Sequence, residues 1–128
     1  MSTLDSLKSL NPDLVIVRIG ENVNSKLLGE QDFGAYYKSL IDYFKNNNAD
    51  VKILCVSSFW KKDDVDAIIE RVAKKEGCYY LKISELSADP KNMALGQFKN
   101  VGVAKHPSDM GMRAIADLIW VKIMLLIK

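Results

Sequence analysis

Cysteine and histidine are scarce in this 128-residue sequence: it has two cysteines, Cys55 and Cys78, and one histidine, His106. A structural zinc site of four Cys, or of two Cys and two His, is therefore excluded within one chain. Both cysteines sit in apolar, strand-like runs and read as free buried thiols, which leans toward a reducing, cytoplasmic setting. An excess of charge of one sign is also lacking. Eighteen basic residues face sixteen acidic ones, a net charge of +2, so nothing in the balance suggests a nucleic-acid partner. Long hydrophobic runs are lacking too. The strongest, Leu118–Ile127, is interrupted only by Lys122 and spans ten residues, against the ~20 needed to cross a bilayer. Residues Met1–Asp5 are polar and do not read as a secretory leader. With three prolines and seven glycines, no Pro/Gly-rich linker or repeat divides the chain. What is there, 48% hydrophobic and 27% charged residues, is the composition of one globular domain over 1–128.

The periodicity predicts alternating helices and strands. Ser2 or Thr3 can cap a short helix with Leu4, Leu7 and Leu10 on one face, ended by Pro12. Leu14–Ile19 is almost continuously apolar and β-branched, the pattern of a strand buried on both faces. Gly20–Gly29 is polar and loop-like. Asp32 can cap a helix whose apolar face is Phe33, Tyr36, Tyr37, Leu40, Ile41 and Phe44. Val51–Val56 is a second strand, followed by Ser57, Ser58, Phe59 and Trp60. Asp63 and Asp64 open a third helix with Val65, Ile68, Ile69 and Val72 inward, ended by Gly77. Cys78–Ile83 is a third strand. Ser84–Pro107 has no clear period, and loops of that length are often functional. Ser108 caps a last helix that runs to the end. Strands separated by helical crossovers form a parallel sheet with helices on both faces, an α/β fold. Ligands of such sheets bind past the C-terminal strand ends. Gly20–Asn24, Ser57–Trp60 and the loop ending in His106 fall there.

Two of these segments carry a family resemblance. Val17-Arg-Ile-Gly20-Glu-Asn22-Val23, following a buried strand, resembles the third motif block of the SGNH (GDSL-like) hydrolases, G-x-N-D. Gly102-Val-Ala-Lys-His106-Pro-Ser-Asp-Met-Gly111, preceding a helix, resembles the fifth block, D-x-x-H-P followed by a glycine. The order and the spacing of about 80 residues fit as well. The resemblance implies a three-layer α/β/α, flavodoxin-like parallel sheet. It covers the C-terminal two-thirds of such a domain: three strands, without the family's first two. It implies serine ester-hydrolase chemistry, with His106 as general base, Asn22 as oxyanion-hole donor and Gly20 shaping that turn. The substrate would be a carboxylic ester, such as an acylated carbohydrate or a lysophospholipid, and no cofactor or metal is called for. The departures are as informative. The block bearing the nucleophilic Ser and the block bearing the oxyanion Gly have no counterpart here. Val23 stands where the third block has Asp, and Val103 stands where the triad Asp would orient the imidazole. The chain is thus expected to lack a nucleophile and to be inactive alone.

Acyl transfer by a serine enzyme needs a nucleophile, a base in reach of it and donors aimed at the developing oxyanion. Ser57 and Ser58 end a strand near the expected site, but Phe59 and Trp60 follow directly, where a nucleophile elbow has small neighbours; an ST-turn or cap fits them better. Glu21, Glu30 and Asp32 read as solvated or capping. Tyr36, Tyr37, Phe44, Tyr79 and Tyr80 read as packing. Gly20 and Gly29 do not form a phosphate-binding loop, which leaves a flavodoxin-like nucleotide binder without support. In a complete family member the Ser strand lies beside the strand matching Leu14–Ile19, so here that strand is expected at an exposed edge. The helix from Leu118 onward is apolar nearly all round. An alternative to an esterase is therefore a non-catalytic assembly module of the same fold, a homo-oligomer joined through that edge and that helix.

Overall fold

β-Branched runs set the frame of the molecule. The computed structural model describes residues 5–7 and 9–127. Strands β1 (Leu14–Val17), β2 (Lys52–Val56) and β3 (Tyr79–Leu81) form one parallel sheet in the order β1-β2-β3. Leu14 pairs with Lys52 and Val17 with Cys55; Leu54 pairs with Tyr79 and Val56 with Leu81. The helices are α1 (Ser25–Glu30), α2 (Phe33–Asn47), α3 (Asp63–Lys75), α4 (Val101–Ala104) and α5 (Asp109–Leu126), with 3-10 turns at Ser84–Ala88 and Pro90–Asn92.

The pleat of β2 sends alternate side chains into two cores. Ile53 and Cys55 enter a cluster with Val17 of β1, Tyr37 and Ile41 of α2, and Val65, Ile69 and Val72 of α3. Leu54 and Val56 enter a second cluster with Phe59, Ile83 and Ile115 of α5. Helices therefore cover the sheet on both sides, two on one face and α5 on the other. Among the described residues no helix is long and apolar enough to cross a membrane.

Local signals explain most element boundaries. The Asp32 carboxylate accepts from Ala35 N at 2.9 Å and caps α2. Three acidic residues, Asp63, Asp64 and Asp66, lie in the first turn of α3, where they complement the helix dipole. Gly77, at φ 68°, makes the left-handed turn that leads from α3 into β3. Ser108 accepts from Gly111 N at 3.1 Å and caps α5.

Several expectations need correction. Ser2, Thr3 and Leu4 lie outside the described residues; 5–7 are helical, but Leu7 and Leu10 are exposed. β1 stops at Val17 and is not buried on both faces: Ile16 is 43% exposed, because β1 is the sheet edge and α5 packs over β2. The second and third strands are also shorter than the apolar runs that contain them. Gly20–Gly29 is not wholly loop, since Asn24 caps α1 by accepting from Leu27 N at 3.0 Å. Tyr36 is exposed rather than packed. The α2 stripe follows Phe33, Tyr37, Ile41 and Phe44, at four- and three-residue steps, and Tyr36 falls beside it. Tyr79 is likewise exposed, on the outer strand β3.

Candidate functional site

Past the C-terminal ends of β1 and β2, three loops are joined by side chains. The turn after β1 is closed by Val23 N donating to Gly20 O at 3.2 Å. Gly20 is buried against α3: a Cβ there would lie 3.0 Å from Ile69 Cδ1 and 3.3 Å from Val65 Cγ1. Its glycine therefore serves close packing of the turn onto the helix. Glu21 links this turn to the loop after β2. Its carboxylate accepts from Phe59 N at 3.0 Å and from Arg18 Nη2 at 2.7 Å. Lys62 adds a second tie, donating to Glu21 O and, at 2.9 Å, to Val23 O. Asn22, between Glu21 and Val23 in the chain, is exposed.

The loop after β2 is itself fastened inward. Ser57 and Ser58 are fully buried. Ser57 Oγ accepts from Ile83 N at 2.8 Å and donates to Ser58 O at 3.1 Å. Ser58 Oγ lies 2.7 Å from Trp60 O and 2.8 Å from Asp66 Oδ1, its one proton serving two acceptors. Ser58 N also donates to Asp66 Oδ1 at 2.9 Å. Burial pushes the Asp66 carboxyl up, the two bonds from Ser58 act against it, and the charge of Glu21 adds to the rise. Both serines thus hold the loop together in the manner of turn and cap residues.

The third loop carries His106. Its backbone is clamped: His106 N donates to Val103 O at 3.0 Å, and Ala94 N donates to His106 O at 2.9 Å. Met93 and Pro107 form an antiparallel bridge beside it. The imidazole is exposed and meets the Trp60 indole edge to face, with ring centroids 5.3 Å apart. Trp60 Nε1 donates to Lys105 O at 2.9 Å, which ties the indole to the His106 loop. Val103 lies on α4 and is 42% exposed, and Asp109 opens α5. The Trp60 ring packs against the imidazole from one side.

His106 and Asn22 are thus connected through the 57–62 segment, by Trp60 at one end and by Glu21 and Lys62 at the other. Sequence reasoning missed three residues here. Glu21 reads as solvated or capping, yet it is the joint between two loops; Asp66 draws no notice in the sequence, yet it is buried and holds Ser58; Trp60 reads only as a bulky neighbour of Ser58, yet it faces His106. No local period marks them, because each acts across the fold. A groove of about 390 Å³ lies past the ends of β2 and β3, lined by Lys61, Lys82, Ser84, Glu85, Ser87 and Ala88; neither His106 nor Asn22 lines it. Among the described residues no group of three or more His, Cys, Asp or Glu could hold a metal ion. Compared with protein-family models, with curated proteins and with solved structures, the chain matches none.

Proposed function

We propose that this chain carries the base and oxyanion-donor half of an SGNH-type serine ester-hydrolase site, on an α/β/α flavodoxin-like fold. His106 is the general base, Asn22 the oxyanion donor on the turn shaped by Gly20, and the nucleophile comes from a strand that pairs along the free edge of β1. The chain alone is then inactive as an acylhydrolase. One observation carries this reading: the turn bearing Asn22 and the loop bearing His106 are both anchored to the 57–62 segment past the strand ends. An exposed imidazole can take a proton from an attacking hydroxyl, and a side-chain amide can donate to the oxyanion. The buried, bonded hydroxyls of Ser57 and Ser58 are not candidates for the attack.

Methanol can stand in for the serine hydroxyl. The purified chain should accelerate methanolysis of a chromogenic acetyl ester, and His106→Ala should abolish the acceleration. Asn22→Ala, which leaves the imidazole in place, should lower it by about a hundredfold, the low end for losing an oxyanion donor. Equal rates for the three proteins would overturn the proposal. Loss in His106→Ala alone would also overturn it, since a free imidazole gives the same result.

A second reading, a non-catalytic module that assembles with itself, is favoured by a separate observation. Ile16 on β1 and Trp120, Val121 and Leu125 on α5 are exposed.

A further inference from the structure

The groove past the ends of β2 and β3 is lined from two segments. Lys61 comes from the loop after β2, and Lys82, Ser84 and Glu85 come from the residues after β3. Open parallel sheets take their ligands beyond the C-terminal strand ends. The volume, about 390 Å³, falls at the small end of the ~300–1,000 Å³ of ligand sites. Ser84 is 3% exposed, yet it lines this groove. Its carbonyl accepts from Ser87 Oγ at 2.9 Å, but its own hydroxyl has no hydrogen-bond partner among the described residues. The sealed side-chain atoms without a partner are Arg18 Nε and the Tyr37 hydroxyl, and Ser84 Oγ is not one of them. The Ser84 hydroxyl therefore keeps some contact with solvent, and the groove is where Ser84 meets it. Hydroxyls buried to this degree nearly always form a hydrogen bond, and this one is free for a molecule in the groove. The two ammonium groups are loosely held. Lys82 Nζ lies 3.5 Å from Glu85 Oε1, and Lys61 Nζ lies 4.0 Å from Asp63 Oδ2. Both pairs are exposed, a setting in which ion pairs contribute little, so either lysine can turn to an anion.

We propose that this groove binds a small phosphate monoester. Lys61 and Lys82 hold the phosphate, Ser84 donates to one of its oxygens, and Glu85 accepts from hydroxyls of the organic part. Lysine serves phosphate as a point charge and needs no fixed fork geometry, which suits two ammonium groups from separate loops. Two cations match a dianion better than they match a carboxylate with its single charge. The Glu85 carboxylate opposes a bare phosphate ion, but a hydroxylated ester offers it donors. No aromatic residue lines the groove, so a nucleobase would find no ring to stack on. Neither His106 nor Asn22 lines it either, so this binding does not depend on the hydrolase reading.

The test is a titration of the full chain with glycerol 3-phosphate, with amide chemical shifts giving the place and calorimetry the affinity. Inorganic phosphate and acetate are titrated beside it. Shifts should concentrate at Lys61 and over Lys82–Glu85, and glycerol 3-phosphate should bind several-fold more tightly than either ion. Ser84→Ala should weaken binding by about tenfold, the low end for a hydrogen bond to a charged group. It should leave the thermal midpoint unchanged, because the hydroxyl has no partner within the fold to lose. Lys61→Met and Lys82→Met, both at exposed positions, should each weaken binding, and the double variant should abolish it. Shifts centred on another surface, or affinity that Ser84→Ala or the double lysine variant leaves intact, would overturn the proposal. Equal binding of glycerol 3-phosphate and inorganic phosphate, or of glycerol 3-phosphate and acetate, would overturn the monoester as occupant. A Ser84→Ala midpoint well below that of the wild type would also overturn it, since the hydroxyl would then be serving the fold.

Discussion

Asp66 shows how one buried carboxylate can hold a loop and weaken the fold that needs it. Its oxygen accepts from the backbone and the hydroxyl of Ser58, while burial and Glu21 raise its affinity for a proton. The folded-state pKa thus lies above the unfolded value. Between the two the native state binds more protons than the unfolded chain, so stability falls as pH rises through that window. Above the raised value the full penalty for holding the ionised group remains. Asp66→Asn keeps an acceptor for Ser58 N and removes the charge. Thermal melts at several pH values should show the variant gaining on the wild type as pH rises from acid to neutral. A difference between the two that stays constant with pH would rule out a raised Asp66.

At the scale of elements, the start of α5 decides where His106 sits. Ser108 caps the helix through Gly111 N and also donates to Lys91 O at 2.6 Å, and its own N–H donates to Asn92 O at 2.9 Å. The helix start is thereby pressed onto the Pro90–Asn92 turn. Gly111 is the contact point: a Cβ there would lie 2.1 Å from Asn92 O and 3.0 Å from Asn92 C. Both atoms are backbone, so no side-chain movement relieves the clash. Gly111→Ala should destabilise the protein by about 3 kcal/mol, at the upper end of overpacking penalties. Ser108→Ala, which loses a cap, should cost about 1 kcal/mol. Denaturant midpoints read both. Gly111→Ala unfolding at the wild-type midpoint would show that α5 is free to shift away from the turn, and the position of His106 would then not depend on this packing.

At the scale of the whole molecule, the apolar surface is unevenly covered. α2 and α3 cover one face of the sheet, whereas α5 is the one named helix on the other, packed there with Phe59 and Ile83, and fully buries only Gly111 and Ile115. Ile16 is 43% exposed on the edge strand, and Trp120 and Leu125 are 62% and 64% exposed. An edge strand with one charge, Arg18, beside its end and no proline presents unpaired backbone groups to any strand that can approach. Under the assembly reading, sedimentation should show a species larger than one chain as concentration rises, and Ile16→Lys should return it to the monomer. A wild-type monomer that persists at high concentration would eliminate self-association. It would leave the hydrolase reading intact, since the strand that reading requires need not come from a second copy.

What the sequence by itself determined is what depends on neighbours a few residues apart. The Asp32 and Ser108 caps, the stop at Gly77, the inward stripe of α3 and the apolar run of β2 are all local patterns, and each stands in the structure where the pattern puts it. The edge position of β1 is not among them: no periodicity implies it, and the sheet order places it there. Tertiary structure alone decided the rest. Glu21 reaches Phe59 across 38 positions and Trp60 reaches Lys105 across 45. Whether such groups meet depends on how parallel strands align and where their loops emerge, and no short-range periodicity encodes that. The same reason separates Cys55 and Cys78. Each reads as a buried thiol in its own strand-like run, yet only Cys55, on the central strand, is fully buried, and Cys78, just ahead of the outer strand, is half-buried.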